Sequence, residues 1–172
     1  MRSLLLLAAL LTVGCCIDEP AGMVQGLRPI YLDDAALGSV ATAPAQNVKV
    51  PDVTLYHEDL FLISEKHRGI HVYDNADPTA PVIVHFWSIP GMAAFALEDQ
   101  TLYADNAKSL LVIDISDPAA IAVRERLSDI YPGSNTDLHP AQVGVFFECV
   151  DPALGVVVGW ESQLLDNPNC RR

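Results

Sequence analysis

The chain is poor in positive charge and has no place where it collects. Lys and Arg number 10 against 22 Asp and Glu, for a formal net charge of −12. Such a surface repels a polyanion, so nucleic acid is not an expected partner. No Lys/Arg cluster exists to hold anionic lipid heads. No run of eighteen or more apolar residues occurs, so no transmembrane helix is expected. The Gly-x-Ser-x-Gly elbow, the phosphate loop and the dinucleotide fingerprint are all missing. His57-Glu58 starts like a zinc-protease motif, but Phe61 stands where the second His belongs. What is left is a chain with 51% hydrophobic and 19% charged residues, a composition that folds rather than one that stays disordered.

The first residues read as an address. Met1-Arg2-Ser3 is a short positive start, and Leu4 to Leu11 is an unbroken run of Leu and Ala. That run is too short to span a bilayer and has the length of a signal-peptide core. Thr12-Val13-Gly14-Cys15 follows and resembles the lipobox of bacterial lipoproteins, in which a cysteine after a small residue is acylated and becomes the new N-terminus. Thr12 stands where that pattern usually has Leu. Cys16 is the other acylation candidate; Cys15 is favoured because Gly14 then fills the small-residue position. The resemblance implies a lipoprotein signal over residues 1–14 and lipidation at Cys15. It also implies a place in the cell envelope, anchored to a membrane outside the cytoplasm, at the outer membrane or cell surface. Each buried CH₂ of the acyl chains adds ~0.8 kcal/mol of anchoring. Residues 15–50, punctuated by Pro20, Gly22, Gly26, Pro29, Gly38 and Pro44, are expected to form a loosely held tether, with one helical turn capped by Asp33.

An internal repeat follows. Asp59–Glu65 reappears as Asp99–Asp105, and Ile70–Pro78 as Leu110–Pro118, at an ungapped offset of 40; Asp59, Leu62, Val72, Asp74, Asp77 and Pro78 each meet an identical residue. Each unit, about 53–87 and 92–126, reads as four short strands separated by turn signals. The third strands, Ile70–Tyr73 and Leu110–Ile113, are almost continuously apolar, the pattern of a strand covered on both faces. A period near 40 with four strands per unit fits a propeller blade.

Gly69-Ile70-His71-Val72-Tyr73-Asp74-Asn75-Ala76-Asp77-Pro78 and Ser109-Leu110-Leu111-Val112-Ile113-Asp114-Ile115-Ser116-Asp117-Pro118 resemble the LVIVD repeat of envelope β-propeller proteins. The tail, with Cys149-Val150-Asp151-Pro152 and Asn167-Pro168-Asn169-Cys170, is similar to lipoproteins of that family. The resemblance covers about Val48 to Cys170. It implies an all-β fold and an envelope location, and it carries no established activity.

The expected architecture is therefore all-β: two four-stranded propeller-like blades and a partial third, an incomplete, open propeller over residues 51–172, with tail strands between 140 and 170. Propellers have 4–8 blades, so two cannot close a ring. The chain is a shortened relative of a longer propeller, or its copies associate through the open blades, or the sheets pack as a small open fold covered by tether and tail. The last is expected for a single chain, with weak independent stability.

Asp74 and Asp114 end strands, and Asp77-Pro78 and Asp117-Pro118 turn the chain. Carboxylates three apart hint at calcium, but Asp that accepts backbone N–H bonds and fixes a turn fits a duplicated position better, so no metal is expected. His67 and His71, with Glu65, lie on turn plus strand, where a four-residue spacing does not converge as it would on a helix. Cys149 and Cys170 are expected to pair if the chain is exported; two unpaired thiols are the alternative. No catalytic residue and no cofactor is read from the sequence. The leading expectation is a non-catalytic binding or scaffold module meeting envelope proteins or glycans. The alternative is an envelope enzyme of hydrolase type, with Glu65, His67 and His71 the first residues to change, or a degenerate fragment.

Overall fold

In the computed structural model, residues 22–131 and 138–172 are described. The fold is all-β. It begins with β1 (Met23–Leu32), a short helix α1 (Asp34–Gly38) and β2 (Ala41–Pro44). Then come β3 (Thr54–His57), β4 (Leu60–Glu65), β5 (Gly69–Asp74) and β6 (Val82–Ser88). The second unit has β7 (Phe95–Glu98), β8 (Thr101–Asn106), β9 (Ser109–Asp114) and β10 (Ala122–Leu127), and the tail has β11 (Phe146–Phe147), β12 (Val156–Asp166) and β13 (Cys170–Arg171).

These strands form three sheets. The first runs β2-β6-β5-β4-β3, the second β10-β9-β8-β7 and the third β12-β1-β11-β13. The first two are antiparallel meanders, each hairpin tied by its own turn. Their shared core holds Leu62, Ile70, Val72 and Trp87 from the first, Leu102, Ala104, Leu111 and Ile113 from the second, and Ile89, Met92 and Ile115 from the connections. The two repeated segments thus stack on each other and hide their apolar sides from water.

The ladders show how they stack. β5 pairs with β6 through Asp74↔Val82, Tyr73↔Ile83 and, after a bulge, Val72↔His85; β9 pairs with β10 through Asp114↔Ala122, Ile113↔Val123 and, after a bulge, Val112↔Glu125. The third and fourth strands are therefore equivalent at an offset of 40. The first two are not. Leu60↔Asp74 corresponds to Thr101↔Asp114, and Glu65↔Gly69 to Asn106↔Ser109. The left-handed turn residues Glu58 (φ 51°) and Asp99 (φ 49°) likewise lie 41 apart. The ungapped repeat is thus corrected: the hairpin Lys66-His67-Arg68 is one residue longer than Ala107-Lys108, and the offset changes there from 41 to 40.

This register exposes an asymmetry. In β5 the core-facing residues are Ile70 and Val72; in β9 they are Leu111 and Ile113. Side chains alternate across a strand, so equivalent strands bury opposite faces. The sheets stack front to back, in series, not front to front. β5 is buried from Gly69 through Val72, whereas in β9 only Leu111 and Ile113 are fully buried. The continuous apolar run thus has two-sided burial in the first sheet alone.

The tether expectation is corrected for residues 23–44. β1 pairs with β12 along ten registers, from Met23↔Asp166 to Leu32↔Val156, and with β11 in parallel. β2 adds a fifth strand outside β6. The glycine and proline content misleads because Gly26 and Pro29 serve positions in the third sheet. Gly26 lets β12 and β11 approach closely: a Cβ there would stand 2.8 Å from Phe146 O. Pro29 lies beyond the Gly26↔Phe146 and Leu27↔Phe147 pairing with β11, where a ladder donor is not needed. The capped turn is present: Asp33 accepts a 2.7 Å bond from Ala36 N, and Leu37 is buried. The Leu37 carbonyl accepts from Asn106 Nδ2 at 3.2 Å and Arg126 Nη2 at 3.1 Å, which fastens α1 over the second sheet.

Cys149 and Cys170 form a disulfide, Cα–Cα 5.3 Å, beside the Phe147↔Cys170 pair of β11 and β13. It closes a loop of the size that adds about 3 kcal/mol by constraining the unfolded chain. Reduction or Cys149→Ser is expected to lower stability by about that amount and to loosen β11–β13 first. Trp160, whose ring meets Phe147 edge-on at 5.4 Å, makes fluorescence the reporter; no change on reduction would refute the assignment.

Candidate functional site

The turn aspartates form no common site. Asp74 Oδ1 accepts from Ala76 N at 3.0 Å, Asp77 Oδ1 from Thr79 N at 2.9 Å, Asp114 Oδ1 from Ser116 N at 2.8 Å and Asp117 Oδ1 from Ala119 N at 2.9 Å. Each carboxylate is spent on its own backbone two residues ahead, the Asx turn. Arg124, paired with Asp114, holds the Asp114 carboxyl far below the usual carboxylate range, helped by Ser116. Asp77 is lowered by the hydroxyl and N–H of Thr79. Cys15 and Cys16 lie outside the described residues.

His67 and His71 are not brought together. His67 sits in the β4–β5 hairpin with φ 63°. Its ring occupies the space over Gly159 of β12, where a Cβ would come within 2.5 Å of Nε2. Gly159 is thus the seat of this imidazole, and the contact joins the first sheet to the third. Burial lowers the His67 pKa, with Lys66 in the same sense and Asp105 and Asp52 opposing, so the neutral ring is the one that fits.

His71 belongs to a different constellation, on the face of the first sheet turned away from the core. Glu65 and His71 are both buried there, 2% and 0% exposed. Glu65 Oε1 accepts from Val50 N at 2.7 Å and from Lys49 N. Oε2 pairs with Arg68, whose guanidinium lies 5.6 Å from the Phe86 ring centre. His71 Nδ1 is 3.1 Å from the Gln46 carbonyl. Its Nε2 lies 3.3 Å from Glu65 Oε2, close in charge but off the line of a hydrogen bond. Burial alone would raise the Glu65 carboxyl. The N–H groups of Val50 and Lys49, with His71 and Arg68, outweigh it and hold the group below its ordinary range.

The result is a strap. Residues 46–50 cross the outward face at its hairpin end, pinned by Glu65, His71 and Arg68, and a shallow pocket of about 380 Å³ lies between Lys49, Val50, Glu65 and Arg68. Two of its cations are engaged: Arg68 with Glu65, and Lys66 with Asp52 at 3.3 Å. The carboxylate is saturated by backbone donors, which suits anchoring and not proton transfer. Among the described residues no group of three or more His, Cys, Asp or Glu is placed to hold a metal ion, and no helix is long and apolar enough to cross a membrane.

Past the strap, the outward face is aromatic. Tyr56, 68% exposed, stacks on Phe61 at 4.8 Å, and Phe61 meets Tyr73 at 5.6 Å. Ile63 and Ile83 lie on the same side, paired with Thr54 and Tyr73. The second sheet's outward face carries Thr101, Tyr103, Leu110, Val112 and Leu127, all half-buried. These two apolar faces are the strongest candidates for function. The signal that finds them is the even–odd parity of the strands, which needs the one-residue hairpin correction first.

Comparison with known proteins gives no match to a protein-family model, a curated protein or a solved structure.

Proposed function

We propose that the chain is a lipid-anchored envelope protein whose β-repeats act as a non-catalytic binding or scaffold module in an incomplete, propeller-type arrangement, related to the LVIVD-repeat proteins. The observation that carries this reading is the front-to-back stacking. A five-stranded and a four-stranded sheet in series, each burying the opposite face from its neighbour, follow the logic of blades around an axis. The paired sheets end in apolar faces, which suits a surface made to receive something. The residues an enzyme reading would draw on support the same conclusion. Glu65 and His71 are engaged by the strap, and His67 is packed over Gly159.

Cys15 is the proposed acylation site, with envelope proteins or glycans as partners of the module. Cys15→Ser is expected to move the protein from the membrane to the soluble fraction and to abolish incorporation of labelled fatty acid. Retention of both would remove the anchor from this reading. Capture from envelope membranes by the wild-type chain, with loss of capture in Phe61→Glu or Val112→Glu, tests the module itself. Unchanged capture would sink the assignment of these faces.

A further inference from the structure

We propose that the two outward faces bind each other between chains, so that copies of this protein assemble head to tail through the contact that already joins the two sheets inside one chain. The inference deepens the scaffold reading. It rests on the module stacking in that reading and not on the lipid anchor.

The argument starts from equivalence. Ile70 and Val72 of β5 correspond by register to Leu110 and Val112 of β9, and His71 and Tyr73 to Leu111 and Ile113. Inside the chain the contact is made by Ile70 and Val72 on one side and Leu111 and Ile113 on the other. Each outward face is therefore the counterpart of a face that is buried. Leu110 and Val112 are what the first sheet uses to receive the second; Tyr73 stands where the second sheet inserts Ile113. An isologous sandwich would bury the same face of both units and leave no such complementary pair. This stacking leaves one, and its chemistry agrees: the row Tyr56, Phe61 and Tyr73 on one side, and Tyr103, Leu110 and Val112 on the other.

The strap takes up the His71 part of this face, equivalent to Leu111, so a contact between chains is confined to the Tyr73 part. Beneath the strap His71 is 0% exposed, whereas Tyr56 stays open at 68%. A contact of this type is heterologous and closes only when the rotation allows. Two chains, each with two repeat modules beside its third sheet, give four such modules, the smallest number that propellers commonly use. The occupant of these faces is thus a second copy of this chain.

The test uses the full chain carrying Cys15→Ser and Cys16→Ser, so that neither lipid nor free thiol drives association. Sedimentation velocity over a concentration series is expected to show a dimer or a closed ring. Tyr73→Glu on one face and Val112→Glu on the other are each expected to give monomers with native far-UV circular dichroism. An equimolar mixture of the two is expected to recover dimers, because each variant keeps the face the other has lost. If Val112→Glu does not hold native dichroism, Tyr103→Arg on the same face takes its place. A wild-type monomer at every concentration, association undiminished in either variant, or a mixture that stays monomeric overturns the proposal. A monomer that still captures envelope components through these faces would refute self-assembly and leave the module reading standing.

Discussion

Trp87→Ala is expected to destabilise the protein by about 3–5 kcal/mol and to melt the first two sheets in one step. Trp87 is fully buried at the junction of the sheets. Its Nε1 donates a 2.9 Å bond to the Pro118 carbonyl, in the turn between β9 and β10. The same carbonyl is 3.5 Å from Thr42 Oγ1, which accepts from Ile121 N at 3.1 Å. Removing the indole leaves a large cavity and takes away the strongest of these cross-sheet ties. A domain of this size has ~5–15 kcal/mol in total, so the loss approaches global unfolding. Urea titration followed by circular dichroism measures it. Leu111→Ala in the second sheet, expected at roughly 2–5 kcal/mol, is to show the same single transition. A Trp87→Ala loss under about 1 kcal/mol, or separate melting of the two sheets, would show that no common core exists.

How much of this was legible beforehand follows from where the information lies along the chain. The eight strands of the two units announce themselves because each is short and closed by a local turn: Asp74 and Asp114 stop β5 and β9, and Glu58 and Asp99 turn the chain between paired strands. Hairpins are local, and local patterns can be read. β1 reads as tether because its partner, β12, lies more than a hundred residues away. Nothing in Met23–Leu32 shows alternation that predicts so distant a pairing, and Pro29 argues against a strand unless the edge position is known.

The site was harder still. In the sequence Glu65 stands out only as a neighbour of two histidines, whereas its work is to receive the Lys49 and Val50 amides. Those donors are main-chain groups and leave no trace in side-chain identity. The outward aromatic row was visible as Tyr56, Phe61 and Tyr73, but its orientation depends on parity, and the ungapped repeat placed Leu62 opposite Leu102 with the wrong parity. One residue in the 66–68 hairpin decides it, since a slip of one in a strand exchanges its faces.

Glu65 is also where the second large effect is expected. Glu65→Ala removes the acceptor of two backbone N–H groups and the partner of Arg68 together; Arg68 is 38% exposed, so the cost lies mainly in the two hydrogen bonds to the carboxylate and is about 3 kcal/mol. Glu65→Gln keeps an amide oxygen for Lys49 and Val50 and loses only the charge, so about 1–3 kcal/mol is expected. The pH dependence separates the two roles. The Glu65 carboxyl is held below its unfolded value, so its contribution is fully present above the ordinary carboxylate range, near 4.3. It is lost as pH falls through the lower folded value. The stability gap between wild type and Glu65→Gln should therefore stay constant from neutral pH to about 5.5 and close in acid. Hydrogen exchange at the Lys49 and Val50 amides reads the strap directly. It should be slow in wild type, faster in Glu65→Gln and fastest in Glu65→Ala, while amides of β5 and β9 change less. Equal protection of Lys49 and Val50 in all three proteins would mean that the strap is held by something other than this carboxylate.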